Sequence, residues 1–271
     1  MELINGIITI FLIAIIISSL LFGNTRNYIE SFQDDNFSFD MFMINMDKDK
    51  ERQANFVASY VKSDFFDKKI NRFPAIVGKN ENPSKWLTDN SIRELQQIEK
   101  NGYRTHHHDI TRGGLGCFLS HYNLAKQLLN DNNVDAYLIF EDDTTVLPFT
   151  YNKIKESLKY LPDDWDYVLF YTIRAVGRKE NNYFNNLKSF WGMNCYIVNK
   201  RGAKKLIDEV EKNKIDGQID CYLSKMIQQN KIKIYASKGN FVSCNSVDTN
   251  IQTILKPIKD VDPYNYNGYQ M

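Results

Sequence analysis

The sequence predicts an α/β fold: a mainly parallel sheet flanked by helices, preceded by a single N-terminal transmembrane helix. Three observations carry that expectation. Short, continuous apolar runs recur along the chain, the kind a strand buried on both faces produces. Stretches with apolar residues at helical spacing separate them, and strand alternating with helix argues for a parallel sheet covered on both sides. Residues 3–25 hold no charge, and "IITIFLIAIIISSLLF" within them is almost wholly apolar.

Taken in order, residues 1–25 read as a membrane anchor, because about 20 apolar residues are enough to cross a bilayer. A cleaved signal peptide is the rival reading, but a basic start, a shorter apolar core and a small-residue cleavage site are not evident. Only Arg26 closely follows the span, so charge says little about orientation; a single-pass, type II placement with the folded domain outside the cytosol or lumenal is expected. Residues 26–39 are polar, acidic and aperiodic, and read as a stem. The folded domain is assigned residues 40–271.

Within it, "MFMIN" reads as a buried parallel strand, and "DKDKERQANFVASYVK" as a helix with Phe56 and Tyr60 on one face. Residues 78–112 form a long excursion with one helical stretch, "SIRELQQIEKN", and three consecutive histidines. "GCFLSHYNLAKQLLN" has Phe118, Tyr122, Ala125 and Leu129 at helical spacing behind a run of glycines. A strand over Tyr137, Leu138, Ile139 and Phe140 follows, then the helix "YNKIKESLKYLP" and the strands "DYVLFYT" and "NCYIVN". "RGAKKLIDEVEKN" places Ala203, Leu206, Ile207 and Val210 on one face of a helix. "CYLSKMIQQN" and "KIKIYAS" add a last helix and strand, and no internal repeat is visible.

The net charge of +1 offers no bulk attraction for nucleic acid, so any anionic ligand must be handled locally. Cys117, Cys195, Cys221 and Cys244 are widely spaced with no C-x-x-C pair, which argues against a structural zinc site and leaves thiols and disulfides both open.

Chemistry concentrates where the strand 137–140 ends in Glu141, Asp142 and Asp143. The C-terminal end of a strand is where open α/β sheets bind ligands. Three adjacent carboxylates repel one another, and a hard cation such as Mg²⁺ or Mn²⁺ relieves that repulsion. The bland alternative is a solvated turn. "DDWD", residues 163–166, also flanks an apolar run but enters it, away from the usual crevice, so a structural role is favoured for Asp163 and Asp164 while Asp166 stays open.

Several motifs in one order, "INMDKDKER", "RFPAIVGKN", "GGLGCFLSHYNLAK", "LIFEDD", "DDWDYVLF", "YIVNKRGAKKLI" and "IDCYL", resemble the motif series of the family 25 glycosyltransferases. The group includes bacterial lipooligosaccharide galactosyltransferases and collagen hydroxylysine galactosyltransferases. The resemblance covers residues 41–247, with one departure: Gly114 stands where the family often has Glu. It implies a GT-A-like fold, a UDP-galactose or UDP-glucose donor and inversion at the anomeric carbon. It also implies a glycan, lipid-linked or protein hydroxyl as acceptor.

In that setting Glu141, Asp142 and Asp143 are expected to hold Mn²⁺ or Mg²⁺ under the departing diphosphate. Asp143 is the first choice for direct ligation, since adjacent side chains diverge. Asn45 and Arg52 follow the first strand, where a nucleotide lies in such sheets; Arg52 can pair with phosphate or stack on uracil, or simply cover a solvated helix face. Ala75 and Gly78 can admit the nucleotide to the backbone, or form an ordinary turn. Ser120 and His121 are read as lying in the first turn after the glycines, suited to an anion, against a structural role for the histidine. Asp220 is both a candidate general base for the acceptor hydroxyl and a candidate helix N-cap. His106, His107 and His108 are read as a polar loop, because consecutive residues cannot all face one ion.

The leading reading is a membrane-bound, metal-dependent hexosyltransferase. A nucleotide-sugar or glycan-binding protein on the same fold, without turnover, is the alternative. A nucleotidyltransferase is a third reading, weakened by the absence of a glycine-rich basic phosphate loop.

Overall fold

Apolar runs that alternate their side chains between two covered faces build one large sheet. The computed structural model describes residues 37–244 and 254–255. Its elements run β1 (Phe39–Asn45), α1 (Lys50–Val61), β2 (Asn71–Pro74), α2 (Pro83–Trp86), α3 (Asp89–Asn101), β3 (Tyr103–Arg104), α4 (Arg112–Asn130) and β4 (Ala136–Glu141). They continue through β5 (Thr144–Val146), α5 (Thr150–Leu158), β6 (Tyr167–Leu169), β7 (Arg174–Lys179), β8 (Phe184–Trp191), β9 (Cys195–Asn199) and α6 (Lys200–Asn213). The last are α7 (Ile219–Gln228), β10 (Ile234–Ser237), β11 (Val242–Cys244) and β12 (Ile254–Leu255).

The main sheet has eight strands in the order β2-β1-β4-β9-β6-β10-β8-β7. Phe42, Ile44, Tyr137, Ile139, Tyr196 and Val198 face a core closed by α4, α6 and α7. Met41, Met43, Leu138, Phe140 and Ile197 face the other, closed by Phe56 and Tyr60 of α1 and Ile154 and Leu158 of α5. Full burial of each large apolar side chain contributes about 1.5–3 kcal/mol, so both faces are needed to hold the central strands.

The sheet is mixed, which corrects the mainly parallel sheet expected from the sequence. β1 pairs in parallel with β2 and β4, and β6 with β10. β9 runs antiparallel to both β4 and β6, and β8 antiparallel to β10 and β7. The physical reason is the hairpin β7–β8, which the sequence analysis does not assign. Every residue of β7 is exposed, so "RAVGRK" has no apolar alternation to reveal it. With that hairpin inserted, the chain passes from β6 to β9 without a helical crossover, and an antiparallel neighbour follows. The expected transmembrane helix falls on residues outside those described. Among the described residues no helix is long and apolar enough to cross a membrane. The longest, α4, carries Arg112, His121 and Lys126.

Two registers position the site. Ile44 pairs with Glu141 and Asn45 with Pro74, so the C-terminal ends of β2, β1 and β4 come together. Phe140 pairs with Cys195, so the antiparallel β9 brings its beginning, not its end, to the same edge.

Helix α4 begins earlier than the glycine run suggests. Thr111 caps it, its Oγ1 accepting from Gly114 N at 2.9 Å, so Gly113, Gly114 and Gly116 lie inside the helix. The four cysteines are thiols.

Candidate active site

A cavity of about 530 Å³ opens at the C-terminal ends of β1, β2 and β4. Asn45, Arg52, Ala75, Gly78, Ser120, His121, Glu141, Asp142 and Asp143 all line it, together with Asp47, Lys48, Arg112 and Cys117. Asp220 is not in its lining. Residues chosen from four separate motifs therefore share one wall-to-wall space, and their roles divide by what each side chain already touches.

Asp142 is committed to the protein. It is 9% exposed; its Oδ2 accepts from Asn45 Nδ2 at 2.7 Å and its Oδ1 from Arg52 Nη1 at 3.1 Å. Arg72 fixes the Asn45 amide from the other side, with Nε donating to Asn45 Oδ1 at 2.9 Å and Nη2 to Asp47 Oδ1 at 2.6 Å. The result is a polar strut, Arg72–Asn45–Asp142–Arg52, that ties the loop after β1 to the loop after β4. Asn45 and Asp142 thus shape the cavity floor and are linked to each other as they line it.

Glu141 and Asp143 are held differently. A single neutral amide serves both: Asn194 Nδ2 donates to Asp143 Oδ1 at 2.7 Å and to Glu141 Oε2 at 3.3 Å. Burial, then the neighbouring Glu141 carboxylate, push the Asp143 carboxyl above the usual range. The other oxygen of Glu141 lies 3.2 Å from His121 Nε2, while Tyr196 Oη lies 2.8 Å from His121 Nδ1. Burial raises the Tyr196 hydroxyl well above its ordinary value. The two ring nitrogens of His121 thus bridge Tyr196 and Glu141 and hold the imidazole against that carboxylate.

Ser120 stands elsewhere in its helix than the sequence suggests, and Gly78 is pressed against that same helix. Ser120 lies in the interior of α4 rather than its first turn; its Oγ accepts from Ile76 N at 2.8 Å and donates to Gly116 O at 2.8 Å. A Cβ on Gly78 would collide with Arg112 O and Gly116 N, and one on Gly116 with Ile76 O. These glycines let the loop after β2 lie directly on α4. Ala75 follows in that loop, its N–H donating to Asn45 O at 3.0 Å.

Asp220 occupies the second position of α7, whose N-cap is Gln218, so the cap reading does not describe it. Its Oδ2 accepts from Gly192 N at 3.1 Å, joining α7 to the end of β8. Burial first, then the carboxylates of Glu141, Asp220 and Asp143, hold the Cys117 thiol in the cavity wall well above its usual range.

Cys117, His121 and Glu141 offer three ligand atoms within 4.8 Å of one another, as do His106, His108 and Asp109 elsewhere. The residues that sequence reasoning missed are Asn194, Tyr196, Arg72 and Cys117. Asn194 and Tyr196 stand at the start of β9, the strand that a parallel sheet would have sent to the opposite end. A hydrogen-bonding residue placed immediately before "CYIVN" was the available signal.

With this geometry in view, comparison with known proteins becomes informative. The chain belongs to glycosyltransferase family 25: the model of that family, described as glycosyltransferase family 25 (LPS biosynthesis protein), matches residues 39–224. A glycosyltransferase 25 family member of Anopheles gambiae is 27% identical over 210 residues, covering 73% of this chain and 33% of the relative. Procollagen galactosyltransferase 1-B of Xenopus laevis is 27% identical over 222 residues, 75% of this chain and 33% of its own. Human procollagen galactosyltransferase 2 is 28% identical over 190 residues, 64% of this chain and 28% of its own. The chain thus spans about a third of the length of the curated relatives it matches.

Proposed function

We propose that this chain transfers a hexose, galactose or glucose, from a UDP-sugar to a hydroxyl acceptor with inversion. The observation that carries the reading is the Glu141–Asp143 pair: two carboxylates at the mouth of a nucleotide-sized cavity, sharing one neutral amide. Family membership and relatives named procollagen galactosyltransferases support sugar transfer and a galactosyl donor.

The donor set fits a hard divalent ion. Carboxylate oxygens from Glu141 and Asp143 suit Mn²⁺ or Mg²⁺, and burial first, then the Glu141 carboxylate, raise the proton affinity of Asp143. Such an ion, when bound, neutralises charge developing on the departing diphosphate. The chain's own residues do the rest. His121 and Asn194 aim the two carboxylates, and the strut through Asn45 and Arg52 keeps Asp142 from competing with them. The loops after β1 and β2 supply Lys48 and Lys79, and the start of α4 supplies Arg112, around the nucleotide space.

Asp220 takes the proton of the acceptor hydroxyl as its oxygen attacks the anomeric carbon. The bond from that carbon to the diphosphate oxygen breaks, its electron pair leaving with UDP. The resemblance of "IDCYL" to the family's motif supports this role.

A donor screen tests the whole reading. The purified chain is incubated with several UDP-sugars, with and without Mn²⁺, and UDP release is followed. Release from UDP-galactose or UDP-glucose, dependent on the metal, is expected. Nucleotide binding without turnover of any donor or acceptor favours the binding-protein alternative, and no UDP binding at all defeats both.

A further inference from the structure

The histidine run does not lie idle. His106 and His108 lie in a turn, their rings stacked with centroids 5.0 Å apart, while His107 turns away onto Trp191 at 4.8 Å. Three consecutive residues cannot share an ion, but this turn brings His106 and His108 together with Asp109 and leaves His107 out. Asp109 completes the group. Its Oδ1 lies 3.4 Å from His106 Nδ1 and 3.7 Å from His108 Nε2. Tetrahedral ligands at about 2.0–2.1 Å from zinc are separated by roughly 3.3–3.4 Å, whereas octahedral neighbours at that distance sit at about 3.0 Å. The spacing matches the tetrahedral case better.

The supporting contacts are those of a built site. Asp109 is 5% exposed, and its other oxygen, Oδ2, accepts from Thr105 N at 3.0 Å and His106 N at 2.8 Å, which turns Oδ1 toward the imidazoles. Asp216 stands close enough for its charge to act on His108. Its Oδ2 accepts from Lys225 Nζ at 2.8 Å, yet its Oδ1 is buried with no hydrogen-bond partner among the described residues. Two imidazoles and one carboxylate supply three ligand atoms, the number that leaves one position of a tetrahedral ion open.

We propose that His106, His108 and Asp109 form a transition-metal site of the Zn²⁺ class separate from the catalytic cavity. The ion fixes the 105–109 loop where it lies on the start of α7. That loop already meets Gln218, whose Nε2 donates to His107 O at 2.9 Å and to Asp109 O at 3.2 Å. Asp220 follows two residues later, and Trp191, under His107, precedes the Gly192 that holds Asp220. The ion therefore acts as a brace for the segment carrying the proposed base. Imidazole ligation sets it apart from the all-oxygen preference of the Glu141–Asp143 pair.

The test titrates the purified, untagged, metal-free chain with Zn²⁺ and with Co²⁺ as a spectroscopic stand-in. Expected are one site of micromolar or tighter affinity and a tetrahedral Co²⁺ spectrum without the sulfur-to-cobalt band that Cys117 would contribute. His108→Gln and His106→Gln should each weaken Zn²⁺ binding by at least about 10-fold, as even outer contacts of metal sites do. Asp143→Asn should leave it unchanged. His106 is the more exposed of the two, so its variant decides the matter if His108→Gln fails to fold. Unchanged Zn²⁺ affinity in a folded histidine variant, a sulfur-to-cobalt band, or binding only at millimolar Zn²⁺ overturns the proposal. Because UDP binding is read separately, loss of the zinc site leaves the transferase reading standing, and the reverse.

Discussion

Two acidic clusters lie at opposite ends of the same sheet, and they differ in how their charge is met. "DDWD" ends in Asp166, fully buried where β6 begins; it accepts from Arg201 Nε at 2.8 Å, Lys205 Nζ at 2.6 Å and Lys233 N at 2.8 Å. Asp164 accepts from Tyr235 Oη at 2.6 Å. "EDD", where β4 ends, gives one acid, Asp142, to an arginine, and leaves Glu141 and Asp143 with a shared amide and a histidine. Sequence alone shows two similar runs of acids. Structure shows one neutralised by cations of the chain and one held short of neutralisation at the wall of the cavity described above.

The comparison breaks most visibly at the structural end. Removing one partner of a buried ion pair costs about 3–5 kcal/mol; here Arg201 and Lys205 are partly solvated, which favours the low end. Asp166→Asn should therefore destabilise the protein by about 3 kcal/mol, lowering its melting temperature by roughly 6–12 °C, while UDP affinity at the folded temperature is unchanged. A shift near zero would mean that the cluster is as dispensable as a surface turn.

At the site end, chemistry rather than stability should suffer. Asp220→Asn keeps an oxygen for Gly192 N–H, so the fold and UDP binding should survive, while turnover falls by about 10²-fold, or about 2.7 kcal/mol, through loss of the proton acceptor. Turnover close to the parent's would reduce Asp220 to a link between α7 and β8.

Asn194→Ala removes the amide that Glu141 and Asp143 share, at a cost of about 1–2 kcal/mol. The loss should be larger at pH 8 than at pH 4, because the two carboxylates repel only when both are ionised. Equal losses at both pH values, measured by thermal melting, would show that the amide matters only for packing.

The smallest effect is also diagnostic in sign. Asp143 holds its proton more tightly folded than unfolded, so its contribution to stability is fully present below its unfolded pKa and is lost as pH rises through the folded one. Asp143→Asn removes that loss. The metal-free variant should equal the parent at low pH and exceed it at neutral pH, by about 0.5 kcal/mol.

How much of this was legible beforehand follows from strand direction. The parallel pairs β2–β1–β4 can be read from apolar runs separated by helical segments, and their coincident ends gather Asn45, Ala75 and Glu141 without further information. β7 and β8 cannot be read so: one strand is wholly exposed and the other is a mixture such as "FNNLKSFW". Missing that hairpin reverses the inferred direction of β9, and with it the location of Asn194 and Tyr196. Residue roles were less legible than residue positions. Ser120, Gly78 and Asp142 reach the cavity, yet each is engaged by a neighbour distant in sequence, Ile76, Gly116 and Asn45 in turn, and such partners are invisible without the fold.

The central claim is that the incompletely neutralised pair at the end of β4 holds a divalent ion beneath a nucleotide diphosphate. Thermal melting of the parent and of Asp143→Asn, each with UDP in the presence and absence of Mn²⁺, addresses it most directly. The account predicts that Mn²⁺ and UDP together stabilise the parent by more than the sum of their separate effects, and that Asp143→Asn loses that excess while retaining its fold. Equal stabilisation of the two proteins, or none in the parent, would contradict it.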